Sequence, residues 1–106
     1  MAWILLFFAG LLEVAWAYSM KRSEGFTLLV PTIVTILTMV ASFALLSVSM
    51  KTLPLGTAYT VWTGIGAVGA FAVGVTVLGE AATPLRLLAA ALIVTGIVLM
   101  KFSSSD

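Results

Sequence analysis

Glu13 is the one acidic residue that lies within a long apolar segment of this sequence, and no other charge occurs between Ala2 and Met20. A charged side chain at the centre of a membrane helix costs roughly 2.5–3.5 kcal/mol on insertion scales. Ionisable residues in such positions usually bind cations or carry protons. We therefore predict that Glu13 is a cation or proton site.

Two neighbours of Glu13 share its helix face, because residues three or four apart lie side by side on a helix. Gly10 precedes it by three positions and Trp16 follows it by three. The indole N–H of Trp16 is that side chain's only polar group, and we predict that it donates to the carboxylate. The alternative places Trp16 in the aromatic belt at the membrane surface.

Hydroxyl side chains fall on one face of the second apolar segment, at Thr35, Thr38, Ser42 and Ser49. Ser42 is near mid-span, at a depth similar to that of Glu13, so we predict that it meets the carboxylate. For the other three hydroxyls we predict pairing between helices. Met39 and Phe43 flank Ser42 and are predicted to form an adaptable apolar side portal.

Tyr59 and Trp62 share a face of the third apolar segment. Their rings can attract a cation, which is worth roughly 0.5–2 kcal/mol per contact. Gly64 and Gly66 follow closely and could provide a hinge that lets one helix adopt two shapes. The small residues Gly66, Ala70 and Gly74 equally indicate close helix packing.

The composition places these residues in a membrane. The 106-residue chain is 62% hydrophobic and 8% charged, with a mean hydropathy of +1.25, which leaves too few charges for a soluble surface. There is no cysteine and no histidine, so thiolate and imidazole metal sites are excluded. We expect no metal and no cofactor. A net charge of +1 without a basic cluster argues against a nucleic-acid partner. The sequence also lacks the nucleophile–base pair that would suggest an enzyme.

Charged residues divide the chain into four apolar runs, at about 2–20, 27–50, 56–78 and 84–100. Each run falls within the roughly 17–25 residues that cross a bilayer as a helix, the fourth only just. Helices satisfy the backbone within lipid, and no alternating pattern suggests a barrel. The sequence therefore predicts an all-α integral membrane protein, with residues 1–106 forming a single four-helix domain.

The distribution of basic residues does not predict one orientation in the membrane. Lys51 and Lys101 fall at one end of the predicted bundle, and Lys21, Arg22 and Arg86 at the other. The positive-inside rule needs a clearer excess of basic residues at one end of the helices than at the other. The chain therefore either inserts in both orientations or has a fixed topology set by other features. An antiparallel pair of chains would supply the oppositely oriented halves that transporters use. It would also bring two copies of Glu13 into one cavity, where protons and a cation compete for them.

These features together resemble the small multidrug resistance transporters, and most closely their guanidinium exporter branch. The resemblance spans nearly the whole chain. Glu13 in the first span carries it, with Pro54-Leu55-Gly56-Thr57-Ala58-Tyr59 leading into Trp62-Thr63-Gly64-Ile65-Gly66. The residues that point to the guanidinium branch are Gly10, Trp16, Ser42 and Thr57.

The resemblance implies an antiparallel, dual-topology homodimer in the plasma (inner) membrane of a prokaryote, which exchanges guanidinium for protons. Glu13 would bind substrate and protons competitively. Trp16, Ser42, Tyr59 and Trp62 would complete its hydrogen-bond network. We predict separately that Gly10, Met39, Phe43 and Thr60 line the pocket or set selectivity. Thr60 departs from the branch, which usually has alanine there.

Three other functions remain open from the sequence. The first is export of bulky hydrophobic or quaternary ammonium cations, the activity of the family's other branch, which the hydroxyl of Thr60 leaves possible. The second is a membrane subunit that assists a larger partner without transporting anything. The third is an ion channel, which would conduct without coupling to protons.

Overall fold

The computed structural model describes residues 1–103. It consists of four α-helices: α1 (Ala2–Arg22), α2 (Leu29–Ser49), α3 (Leu55–Thr76) and α4 (Pro84–Ser103). Each helix is long and apolar enough to cross a membrane. The prediction of an all-α fold with four helices long and apolar enough to span a membrane is confirmed, and the helix bounds differ by a few residues from the predicted ones. For example, α1 continues through Lys21 and Arg22, since basic residues favour the last turn of a helix.

Tight turns join the helices. In the α1–α2 turn, Ser23 is fully buried, and Gly25 adopts a positive φ of 72° that glycine tolerates without strain. In the α3–α4 turn, Gly79 has the same φ of 72°, and the backbone N–H of Glu80 donates to the carbonyl of Gly74 at 2.9 Å. This last bond satisfies a backbone carbonyl in the last turn of α3.

The helices α1 and α3 hold the fold together. Helix α1 packs against both α2 and α3, whereas α4 packs mainly against α3 and also contacts α1 where Lys101 lies over the ring of Trp3. No residue of α4 is buried. The buried apolar side chains come from the first three helices and the α2–α3 turn: Leu6, Ala9, Leu46, Leu53, Ala58, Val61 and Trp62. The mid-span residues of α1, α2 and α3 are therefore held against one another.

Glycines allow α1 and α3 to approach closely. A Cβ added at any of three glycines would overlap a side chain of the opposite helix, in the pairs Gly10–Ile65, Gly66–Glu13 and Gly69–Val14. Close packing therefore accounts for Gly66. Helix α3 runs without a break from Leu55 to Thr76, and the hinge at Gly64 and Gly66 stays a prediction.

Two of the α2 hydroxyls do not pair between helices. Thr35 and Thr38 each donate to the carbonyl four residues earlier in their own helix, both at 2.7 Å. The predicted interhelical pairing is wrong for these two, because an i−4 carbonyl is always within reach of a helical threonine. Ser49 follows the prediction in part, since its hydroxyl can donate either to the carbonyl of Ala2 on α1 at 3.3 Å or to that of Leu45 in its own helix at 2.9 Å.

Candidate functional site

Glu13 lies halfway along α1 and is partly buried. Its carboxylate packs against the backbone of Gly66 on α3. The Oε1 atom is buried and has no hydrogen-bond partner within residues 1–103. An unpaired buried acceptor costs about 1–3 kcal/mol, and more when it is charged. Such a group is therefore suited to a proton or a ligand that can pair with it.

A buried hydrogen-bonded chain ties α1, α2 and α3 together about one helical turn from Glu13, since its last member, Ala9, precedes Glu13 by four residues on α1. The indole N–H of Trp62 donates to the hydroxyl of Ser42 at 3.0 Å, and that hydroxyl donates to the carbonyl of Ala9 at 2.7 Å. A hydroxyl has one proton to donate, so Ser42 cannot donate to Glu13 at the same time. The predicted meeting of Ser42 with the carboxylate is therefore not made within the chain. Ser42 instead fixes the ring of Trp62.

We predict that Ser42→Ala lowers stability by about 1–3 kcal/mol, because it leaves the buried indole N–H of Trp62 without its acceptor. Thermal unfolding in detergent measures the loss. Ser47→Ala is the matched control, since Ser47 is an exposed serine on the same helix. Equal melting temperatures for the two variants would contradict a structural role for the Trp62–Ser42 bond.

Four aromatic rings form a continuous row across the three helices. Ring centroids are 6.4 Å apart for Trp16 and Phe43, 5.8 Å for Phe43 and Trp62, and 5.7 Å for Tyr59 and Trp62. These are favourable edge and tilted contacts. Phe43 and Tyr59 remain about half exposed, at 47% and 53%. The row therefore offers accessible ring surface to a cation.

Trp16 belongs to this row and does not bond to Glu13 within the chain. Its Nε1 is buried and has no partner among the residues that the structure describes. The hydrogen bond predicted between Trp16 and Glu13 is absent, although an unused donor and an unused acceptor lie three positions apart on α1. Contact of Trp16 with Phe43 on α2 also differs from the alternative of a membrane-surface belt.

The residues predicted to set selectivity are dispersed. Gly10 is buried against Ile65 of α3, and Met39 on α2 is partly buried. Thr60 is exposed and lines a groove of about 780 Å³ between α3 and α4, together with Tyr59. Glu13 does not line this groove, so in a single chain the hydroxyl of Thr60 is set apart from the carboxylate.

Sequence reasoning missed two parts of this arrangement. The carbonyl of Ala9 accepts the hydrogen bond of Ser42. A pattern of side chains does not predict which backbone carbonyl accepts such a bond. Gly66 forms the wall against which the carboxylate of Glu13 rests. Its place in the small-residue series of α3 indicated close packing but not the partner.

A sequence profile of the Small Multidrug Resistance proteins matches residues 1–93. The chain belongs to this family. The resemblance noted in the sequence is thereby confirmed, and so are the expectations of a membrane transport protein and not an enzyme.

Three relatives illustrate the similarity, and each is named guanidinium exporter. The relative from Salmonella typhimurium strain LT2 is 59% identical over 98% of this chain and 99% of its own length. The relative from Citrobacter freundii is 58% identical, and that from Escherichia coli K12 is 55% identical, both over the same shares of the two chains. With four membrane-spanning helices, this small multidrug resistance protein is a multi-pass membrane protein.

Proposed function

We propose that this small multidrug resistance protein exports guanidinium in exchange for protons, as an antiparallel homodimer in the inner membrane of a prokaryote. The observation that carries the proposal is the buried Oε1 of Glu13, which has no hydrogen-bond partner within residues 1–103. Relatives that are 55–59% identical and named guanidinium exporter support the choice of substrate.

Guanidinium offers the hydrogen-bond donors and the positive charge that the carboxylate of Glu13 lacks within the chain. Its planar fork of N–H groups can bond to both oxygens of a carboxylate, which satisfies the unpaired Oε1 of Glu13. Its flat faces can stack on aromatic rings. The row that runs from Trp16 through Phe43 to Trp62 and Tyr59 begins three residues from Glu13 on α1, so one small cation can use both features.

A second copy of the chain would complete the site. The aromatic row is open at Phe43 and at Tyr59, which are 47% and 53% exposed. An antiparallel partner would cover these rings and place a second Glu13 in the same cavity. Two carboxylates in one low-dielectric space cannot both stay charged cheaply, so protons or guanidinium must neutralise them. If that cavity opens alternately to each side of the membrane, the competition couples export to proton entry.

The charge distribution supports insertion in both orientations. The helices place Lys51 and Lys101 at one end of the bundle. They place Lys21, Arg22 and Arg86 at the other end. Two basic side chains against three give the positive-inside rule almost no preference. A population that contains both orientations could assemble antiparallel pairs from one gene product.

Reconstituted protein tests the proposed substrate. Proteoliposomes that contain only this chain are given guanidinium or tetraphenylphosphonium under the same proton gradient, and internal pH is followed. Of the two cations, we expect only guanidinium to drive rapid proton movement across the membrane. Proton movement only with the bulky cation would contradict the guanidinium assignment, no movement with either would indicate an accessory subunit, and a reversal potential independent of the proton gradient would indicate a channel.

We predict that Trp16→Gly loosens selectivity, because it removes a large ring from the aromatic row next to Phe43 and enlarges the cavity. Transport of a bulky cation should rise relative to guanidinium, while guanidinium transport falls only in part. Trp3→Gly removes the same volume from α1 outside the aromatic row and is the matched control. An unchanged substrate profile for Trp16→Gly would place Trp16 outside the substrate cavity.

A further inference from the structure

Val14 follows Glu13 on α1 and packs against α3 in the same manner. The carboxylate of Glu13 lies against Gly66, and the side chain of Val14 lies against Gly69, three positions further along α3. A Cβ at either glycine would overlap the side chain opposite it. Two consecutive residues of α1 are therefore seated on two neighbouring glycines of α3.

These two contacts fix the rotation of α1 about its own axis. Successive residues of a helix point about 100° apart, since 3.6 residues complete a turn. A rotation of α1 that moves Glu13 relative to Gly66 therefore also moves Val14 relative to Gly69. Because both contacts are close, and packed interiors yield little to small displacements, the two side chains can shift only together.

The side chain of Val14 is the stiffer of the two. A β-branched residue such as valine has one strongly preferred χ1 rotamer in a helix, whereas a glutamate can turn its carboxylate away through its additional torsions. Contact with Gly69 therefore constrains the backbone of α1 at Val14, and the carboxylate of the preceding residue follows that backbone.

Val14 acts from outside the neighbourhood of the aromatic row. It lines a groove of about 350 Å³ between α1 and α3, together with Ala17 and Ala70. Neither Glu13 nor any member of the aromatic row lines this groove. An effect of Val14 on a cation at Glu13 must therefore pass through the position of the carboxylate.

The other titratable and charged side chains of the four helices lie in the first or last five residues of their helices, and α2 contributes none. They are Tyr18, Lys21, Arg22, Tyr59, Arg86 and Lys101. The second copy in the proposed homodimer adds its own Glu13, which each substitution below affects equally. A change in the titration of Glu13 that follows a change at Val14 or Gly69 therefore reports the position of its carboxylate.

We propose that Val14 is a positioning residue. Seated on Gly69, it holds α1 at the rotation that places the carboxylate of Glu13 against Gly66, and it thereby sets the affinity of that carboxylate for protons and for guanidinium. The guanidinium part of this inference rests on the function proposed above, whereas the proton part does not.

Infrared difference spectroscopy and calorimetry of the purified full chain test the proposal. The band of the protonated Glu13 carboxyl is identified by its absence in Glu13→Gln, and the pH at which half of it remains is the titration midpoint. In Gly69→Ala the added Cβ displaces Val14. Guanidinium affinity should fall about tenfold, since a misplacement of about 1 Å can cost up to about a hundredfold. The midpoint should move by about one pH unit, which corresponds to a tenfold change.

Rescue separates positioning from general damage to the fold. The double variant Gly69→Ala with Val14→Ala removes the overlap, so its midpoint and its guanidinium affinity should return toward those of the wild type. Leu53→Ala is the control, because it removes a buried side chain from the α2–α3 turn, where Leu53 is 3% exposed. It should lower the melting temperature and leave the midpoint unchanged.

Substitutions at Val14 itself carry the test if Gly69→Ala does not fold. Val14→Ile keeps both branches at Cβ and can place its extra methyl group in the groove beside Ala70, so it should titrate like the wild type. Val14→Ala removes the contact with Gly69 and should move the midpoint.

Three results would each overturn the proposal. The first is a wild-type midpoint in the folded variants among Gly69→Ala and Val14→Ala. The second is a double variant no closer to the wild type than Gly69→Ala, and the third is an equal shift in Leu53→Ala. A wild type that does not bind guanidinium would instead refute the proposed function, and the infrared test of Val14 would still decide its role.

Discussion

The substitution Glu13→Gln is expected to abolish proton-coupled transport and to leave the fold intact. Gln keeps the shape of Glu13 and its contact with Gly66, but it carries no charge and exchanges no proton. Removal of one partner from a buried charge pair costs about 2–5 kcal/mol, which is a loss of about 30-fold or more in guanidinium binding. Proton flux in proteoliposomes and thermal unfolding in detergent measure the two effects.

The control for this variant is Glu80→Gln. Glu80 is an exposed carboxylate in the α3–α4 turn, and its removal changes the net charge by the same amount. It should leave guanidinium-driven proton flux near that of the wild type. If Glu13→Gln retained proton-driven uptake of guanidinium, or if Glu80→Gln lost it equally, the assignment of Glu13 as the shared site would be wrong.

The substitution Gly66→Ala is expected to impair both stability and transport. A Cβ at this position would overlap the carboxylate of Glu13, so α1 and α3 must separate or the carboxylate must turn away. Overpacking of this kind typically costs about 1–3 kcal/mol. The displaced carboxylate would also lose its position against Gly66, where we propose that it binds guanidinium. Thermal unfolding and guanidinium-driven flux should therefore fall together.

Two variants test this explanation. Gly96→Ala on α4 meets no atom within 4 Å, and it should be neutral or stabilising by up to about 1 kcal/mol, since alanine favours a helix over glycine. In the double variant Gly66→Ala with Glu13→Ala, the overlap is relieved. Stability should then recover while transport stays lost. Loss of stability that persists in the double variant would show that Gly66 acts through something other than Glu13.

The four spans were predictable because a bilayer selects strongly on length and hydropathy. The sequence also indicated that Tyr59 and Trp62 act together, and their rings are in contact at 5.7 Å. Helical spacing is enough to place residues on a common face. The small residues of α3 likewise indicated close packing, which Gly66 shows against α1.

Hydrogen-bond partners were predicted less well, since they depend on where one proton points. Ser42 donates to the carbonyl of Ala9 and not to Glu13, and Thr35 and Thr38 bond to their own helix. Backbone carbonyls are acceptors at every position, so a sequence cannot rank them against a carboxylate. The bond from Trp16 to Glu13 failed for a related reason, because contact of the indole with Phe43 fixes its ring.

Proton release on guanidinium binding tests the central claim most directly. Calorimetric titration of the purified protein, repeated in buffers of different ionisation enthalpy, gives the number of protons released per guanidinium bound. The account predicts measurable release and an affinity that falls as pH is lowered, by about tenfold per pH unit where one proton exchanges. Both effects should vanish in Glu13→Gln. Guanidinium binding that releases no proton, with the same affinity at every pH, would contradict the account.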